Sequence, residues 1–215
     1  LVFLMSVKFR DYPGLKQCLD LIFQVRVLFS SLEEEVVANF QHLCDIAPED
    51  FQYSRVLWGI TQQNPDVRPP LWLEIARIAD RKKPVRPNIL GFKAFAYIAN
   101  KNPLEALYTY IVITDWIKEN RKGEDTLPVT YYHMAECFFN VDNMPMTINF
   151  CNKSLRESID RKQEDNLPEI YYLRAQAFLI QGKTERAKKD LQEAMQRDPE
   201  YDEPRKLMDS IEVEE

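Results

Sequence analysis

The groups in this chain that could do chemistry are two histidines, four cysteines and several runs of acids and bases. His42 and Cys44 fall on one predicted helix, where residues two apart point to different sides. Alone they make neither a nucleophile–base pair nor a metal site, both of which need convergent side chains. His133 falls inside a later predicted helix and is expected to be structural or to line a groove. No G-x-S-x-G, P-loop, dinucleotide fingerprint or H-E-x-x-H is present. Glu33-Glu34-Glu35 is what a helix N-terminus attracts through its dipole. The sequence therefore predicts a protein that is not an enzyme, with no cofactor and no metal. Cys18, Cys44, Cys137 and Cys151 are far apart and form no C-x-x-C pair. That usage predicts buried free thiols in an intracellular reducing compartment, either cytoplasm or an organelle matrix.

The strongest cationic feature is Arg77, Arg81, Lys82, Lys83 and Arg86, a candidate contact for an anion or RNA. A plainer reading is a helix C-terminus and connector whose cations the dipole favours. The net charge of −6 supports the plainer reading, because phosphate neutralisation needs a surplus of Lys and Arg. Hydrophobic residues make up 45% of the chain and aromatics 12%, enough to bury a substantial core. Five glycines argue against hairpin-rich β structure, while thirteen prolines suit a helical chain with many starts and stops. No apolar run reaches bilayer-spanning length. A first residue of Leu leads us to expect a piece of a longer protein.

Helical elements must position these groups. Tyr12-Pro13-Gly14 ends a short extended segment, residues 1–13, and apolar residues recur at helical spacing from Leu15. Ser31 with Glu34 forms a capping box for the next helix. Residues 14–86 read as divergent helix pairs, their last helix running from Leu71 to about Arg81. From Pro87 the pattern becomes periodic. Leu127-Pro128-Val129-Thr130-Tyr131-Tyr132 is echoed by Leu167-Pro168-Glu169-Ile170-Tyr171-Tyr172. Pro87, Pro128 and Pro168 recur at spacings of 41 and 40 residues. Three copies follow, 87–127, 128–167 and 168–200, then a short amphipathic helix within 201–215 with Leu207, Met208 and Ile211 on its apolar side.

The last copy resembles a tetratricopeptide repeat, a helix–turn–helix unit of about 34 residues. Tyr171, Ala175, Phe178, Gly182, Ala187, Ala194 and Pro199 stand where that family places aromatic, small, turn and stop residues. Arg174 departs from the family, which favours leucine there. In the middle copy Asp142-Asn143 replaces the turn glycine and Thr147 replaces an alanine. The period of about 40 residues is similar to longer-period variants of the family, with polar loops at 123–126 and 160–166 taking up the difference.

The resemblance implies an all-α, right-handed solenoid of antiparallel helix pairs closed by a C-terminal capping helix. It also implies that the first helix of each pair lines a concave groove. Its inner positions would be Phe95, then Tyr132, Glu136, Phe139 and Asn140, then Glu169, Tyr172, Gln176 and Leu179. Such positions would bind a peptide or a partner helix, although any one of them could instead pack against neighbouring helices. Some relatives grip a chaperone's C-terminal carboxylate with Lys, Asn and Arg. The corresponding places here hold Gly91, Phe95, His133, Glu169 and Leu173, which argues against that clamp. The expected function is a protein-interaction scaffold or subunit of an assembly. The alternative is an RNA-associated helical-repeat factor, for instance organellar, using the cluster at 77–86.

Overall fold

A proline opens nearly every helix. In the computed structural model, which describes Val37 and residues 69–82, 87–120, 122–163 and 166–214, eight α-helices are defined apart from the isolated Val37. They are α1 (Pro69–Lys82), α2 (Pro87–Ala99), α3 (Pro103–Asn120), α4 (Leu127–Asn140), α5 (Met144–Arg161), α6 (Leu167–Ile180), α7 (Thr184–Arg197) and α8 (Asp202–Glu214). All but α7 carry a proline within their first three residues. The ring presets φ, and the amide it removes would have had no intrahelical partner. No strand occurs among the described residues. The expected segment 1–13, most of the divergent pairs of 14–86, and Cys18, His42, Cys44, Lys83 and Arg86 lie outside them, as does the side chain of Lys82.

The chain divides into two compact units, residues 1–100 and 101–215. This division falls between α2 and α3, inside the copy expected at 87–127. Within the first unit α1 packs on α2. Ile75, Ala76, Phe92, Ala94 and Ala96 are buried in it, and Lys93 pairs with Asp80 at 2.5 Å. Trp72 stacks on Phe95, ring centroids 5.6 Å apart.

Within the second unit each helix packs on the one before and the one after it, with a short 3₁₀ turn at Glu124–Thr126 between α3 and α4. The pairs α4–α5 and α6–α7 are built alike. Ala135, Thr147, Cys151 and Ser154 in the first, and Ala175, Ala187, Leu191 and Ala194 in the second, are fully buried at positions 40 residues apart. Small residues let the backbones approach, and the polar ones among them are satisfied. Thr147 Oγ1 donates to the Asn143 carbonyl at 3.0 Å, and Ser154 Oγ reaches across to the Pro128 carbonyl at 2.7 Å.

The interhelical turns also repeat. The Asn143 amide bonds the Phe138 carbonyl and the Asp142 amide that of Phe139; Lys183 and Gly182 do the same to Phe178 and Leu179. This is the hydrogen-bond pattern of a Schellman C-cap. Asp142 (φ 57°) and Gly182 (φ 69°) take its left-handed position. Asn143 then caps α5, its side chain accepting from the Met146 amide at 3.2 Å. At the end of the unit Met208 and Ile211 of α8 join Ala175, Phe178, Ala187 and Leu191 in one cluster, with Leu207 packed against it. The C-terminal helix thus covers apolar surface that the last pair would leave wet.

Candidate partner-binding face

On α4, Tyr132, Glu136, Phe139 and Asn140 follow helical spacing, as do Tyr172, Gln176 and Leu179 on α6, so each set shares a helix face. The first helices α4 and α6 are themselves in contact. Asn140 is exposed, while Tyr132, Glu136, Phe139, Glu169, Tyr172, Gln176 and Leu179 are half-buried. Tyr172 and Leu179 also rest against the core cluster of the last repeat. Phe95 lies in the first unit, stacked on Trp72 and tilted against Phe92. The structure therefore brings the α4 and α6 candidates together and describes Phe95 separately, in an aromatic cluster of its own.

The chemistry of the α4–α6 face centres on a chain of polar contacts. His133 Nδ1 and Glu136 Oε2 are 2.6 Å apart. The His133 ring stacks on buried Tyr110 at 5.6 Å and lies 5.3 Å from Tyr132. The half-buried Tyr132 hydroxyl feels Glu136 and also Tyr201 and Glu169. Burial raises it far above the ordinary phenol value, and the Glu136 charge raises it further. Tyr201, which precedes α8, meets Tyr172 edge-on with centroids 5.5 Å apart at 74°. Its hydroxyl is pushed up to about 12, first by burial and then by Glu203, Tyr172 and Glu169. Tyr172 is raised in the same way by burial and then Glu203. The phenols stay neutral donors beside carboxylates. One of those carboxylate oxygens, Glu169 Oε2, is buried with no hydrogen-bond partner.

Two of these participants were not picked out as candidates by sequence reasoning. Tyr201 falls between a helix stop and a cap, and only the packing of α8 brings it opposite Tyr172. Tyr110 lies on α3, and nothing in its local sequence signals that a histidine will lie on it.

The basic cluster is arranged differently. Arg77 and Arg81 are exposed one turn apart on α1, the Arg77 guanidinium 6.0 Å over the Tyr97 ring. They border a surface depression together with Lys93, Glu74 and Asp80. Cations and acids alternate around it, so its described rim is not a uniformly positive surface. Among the described residues, no group of three His, Cys, Asp or Glu is placed to hold a metal ion, and no helix is long and apolar enough to cross a membrane.

The departure at Arg174 has a structural reason. Its guanidinium makes two 2.7 Å bonds to Asp190 on α7 and a third to Asn152 on α5. The same group lies 5.4 Å over the Tyr171 ring. It ties three helices together where an apolar side chain would only fill space.

Comparison with known proteins agrees with this geometry. The family model of the tetratricopeptide repeat matches residues 168–201. Among solved structures, the MamA protein superposes with a TM-score of 0.58 at 12% identity, covering 86% of this chain and 92% of that one. A thermophilic TPR protein of Thermus thermophilus, TTC0263, gives a TM-score of 0.60 at 13% identity, covering 93% and 99%. Identities this low speak to fold alone. No curated protein sequence matches. Residues 168–201 match the tetratricopeptide repeat, and the described residues have an all-α helical-repeat fold similar to that of solved tetratricopeptide-repeat structures.

Proposed function

We propose that the chain is a non-catalytic protein-interaction module, a scaffold or subunit of a larger assembly. Its partner docks on the face formed by α4, α6 and the start of α8. The observation that carries this reading is the division of labour within each helix pair. The second helices place small, fully buried residues at the seam. The adjoining first helices present half-buried Tyr132, Glu136, Tyr172 and Gln176 beside one another. Partly exposed tyrosines are effective anchors, because a large rigid ring gains contact area at little entropic cost.

A random-peptide phage library panned on the immobilised full chain tests the reading. Enriched peptides should lose binding to Tyr132→Ala/Tyr172→Ala by about tenfold or more, the effect of removing two aromatic anchors. Circular dichroism should show the variant still folded. Peptides that bind the double variant as well as the native chain would rule this face out.

A further inference from the structure

Leu104, Tyr108 and Ile111 of α3 are 63%, 70% and 40% exposed. Spacings of four and three residues put them on one face of the helix, as a continuous and largely apolar stripe. Packing of the repeat does not call for it. Ala106 and Tyr110 of α3 recur, buried, as Thr147 and Cys151 of α5 and as Ala187 and Leu191 of α7. That register matches the stripe to Pro145, Asn149 and Asn152 of α5 and to Glu185, Lys189 and Gln192 of α7, all exposed. The same outward face thus carries a proline and polar residues on α5 and α7, but large side chains with much apolar surface on α3. A contiguous exposed apolar patch marks a contact surface.

The stripe is complementary to itself. Leu104 lies four residues before Tyr108 and Ile111 three after it. Exposed Lys101 and Asp115 lie seven before and seven after. When a second α3 is turned end for end about Tyr108, Leu104 meets Ile111 and Lys101 meets Asp115, once on each side of a two-fold axis. Glu105 and Lys118 stand on opposite flanks of the stripe, and Glu119 falls beyond the first turn of the opposing helix. Lys118 reaches Asp115 at 3.7 Å, but both side chains stay exposed. An exposed pair of this kind contributes little and leaves the carboxylate open to a second cation.

We propose that a second copy of this chain docks on the stripe, α3 against α3 in antiparallel order, with the two Tyr108 side chains meeting on the axis. Such a contact uses the same patch twice and closes at two chains. It lies on a different helix from the docking face of α4 and α6, and neither surface depends on the other.

Sedimentation velocity on the full chain, from about 1 to 200 µM, should show the mass rising from one chain to two, because a small interface associates weakly. Tyr108→Ser, at an exposed position, should weaken association about tenfold or more and leave the urea midpoint of the dilute monomer unchanged. Lys101→Glu and Asp115→Lys should each weaken it about threefold, and together recover most of that loss. Lys189→Ser, at the matching position of α7, should associate like the native chain. A chain that stays single at every concentration overturns the inference and leaves the stripe to a different protein. So does a dimer that ignores Tyr108→Ser, or one that Lys189→Ser weakens as much. Charge variants that fail to rescue one another overturn the antiparallel pairing, and assemblies larger than two overturn the closed contact. A lowered urea midpoint for Tyr108→Ser in the dilute monomer means that the stripe is covered within one chain, which overturns the inference as well.

Discussion

Arg174 shows how a single side chain can replace an apolar packing role with a polar one. Its partner Asp190 is nearly fully buried, with a side-chain exposure of 8%, and Arg174 itself retains 17%. A buried ion pair costs desolvation on both sides and repays it only with good geometry, here two parallel 2.7 Å bonds. Removing one partner is therefore worse than removing both. Arg174→Leu leaves the Asp190 carboxylate buried and unpaired, and should lower unfolding free energy by ~2–4 kcal/mol in urea titrations. The double change Arg174→Leu/Asp190→Leu should recover most of that loss. If the single and double variants are equally unstable, the pair is not what holds α6 to α7.

At the scale of elements, the two turns that join α4 to α5 and α6 to α7 have one geometry and two sequences. Gly182 takes the left-handed position freely, whereas Asp142 adopts φ 57° against the steric preference of an L-residue. Asp142→Gly should therefore raise stability by ~0.5–1 kcal/mol, seen as a higher urea midpoint with an unchanged slope. The helices themselves were legible in the sequence because proline starts, small seam residues and the Leu-Pro-x-x-Tyr-Tyr echo all encode local geometry. The left-handed turn at Asp142 was legible only through its alignment with Gly182. The candidate face was legible in part: spacing identified Tyr132 and Tyr172, since residues four apart share a helix face. Tyr201 and the Tyr110–His133 stack were not, because both arise where helices distant in sequence pack. The pairing of Arg174 with Asp190 across a helix hairpin likewise has no signature in either residue's local sequence.

For the whole molecule, the shared property is burial of neutral acids in a seam of small side chains. Burial pushes the Cys137 and Cys151 thiols up to about 12 from an ordinary value of 9.0. Above pH 9 the unfolded chain gives up these protons and the native chain keeps them, so stability present below that pH is lost as the pH rises toward 12. Each thiol contributes a slope of up to ~1.4 kcal/mol per pH unit across that window. Urea midpoints should thus fall steadily above about pH 9. Peptide mapping should find Cys137 and Cys151 unalkylated by iodoacetamide in the native protein and modified once urea is added. Rapid native alkylation of either would mean that its seam opens readily. The nearest-neighbour packing of α3 through α8 has a further consequence, a mechanical one. In an array whose helices grip mainly their immediate neighbours, a pulling load passes through each interface in series. The weakest one yields first while the others hold, so residues 101–215 should extend under tension in small successive steps and rewind when the tension is released.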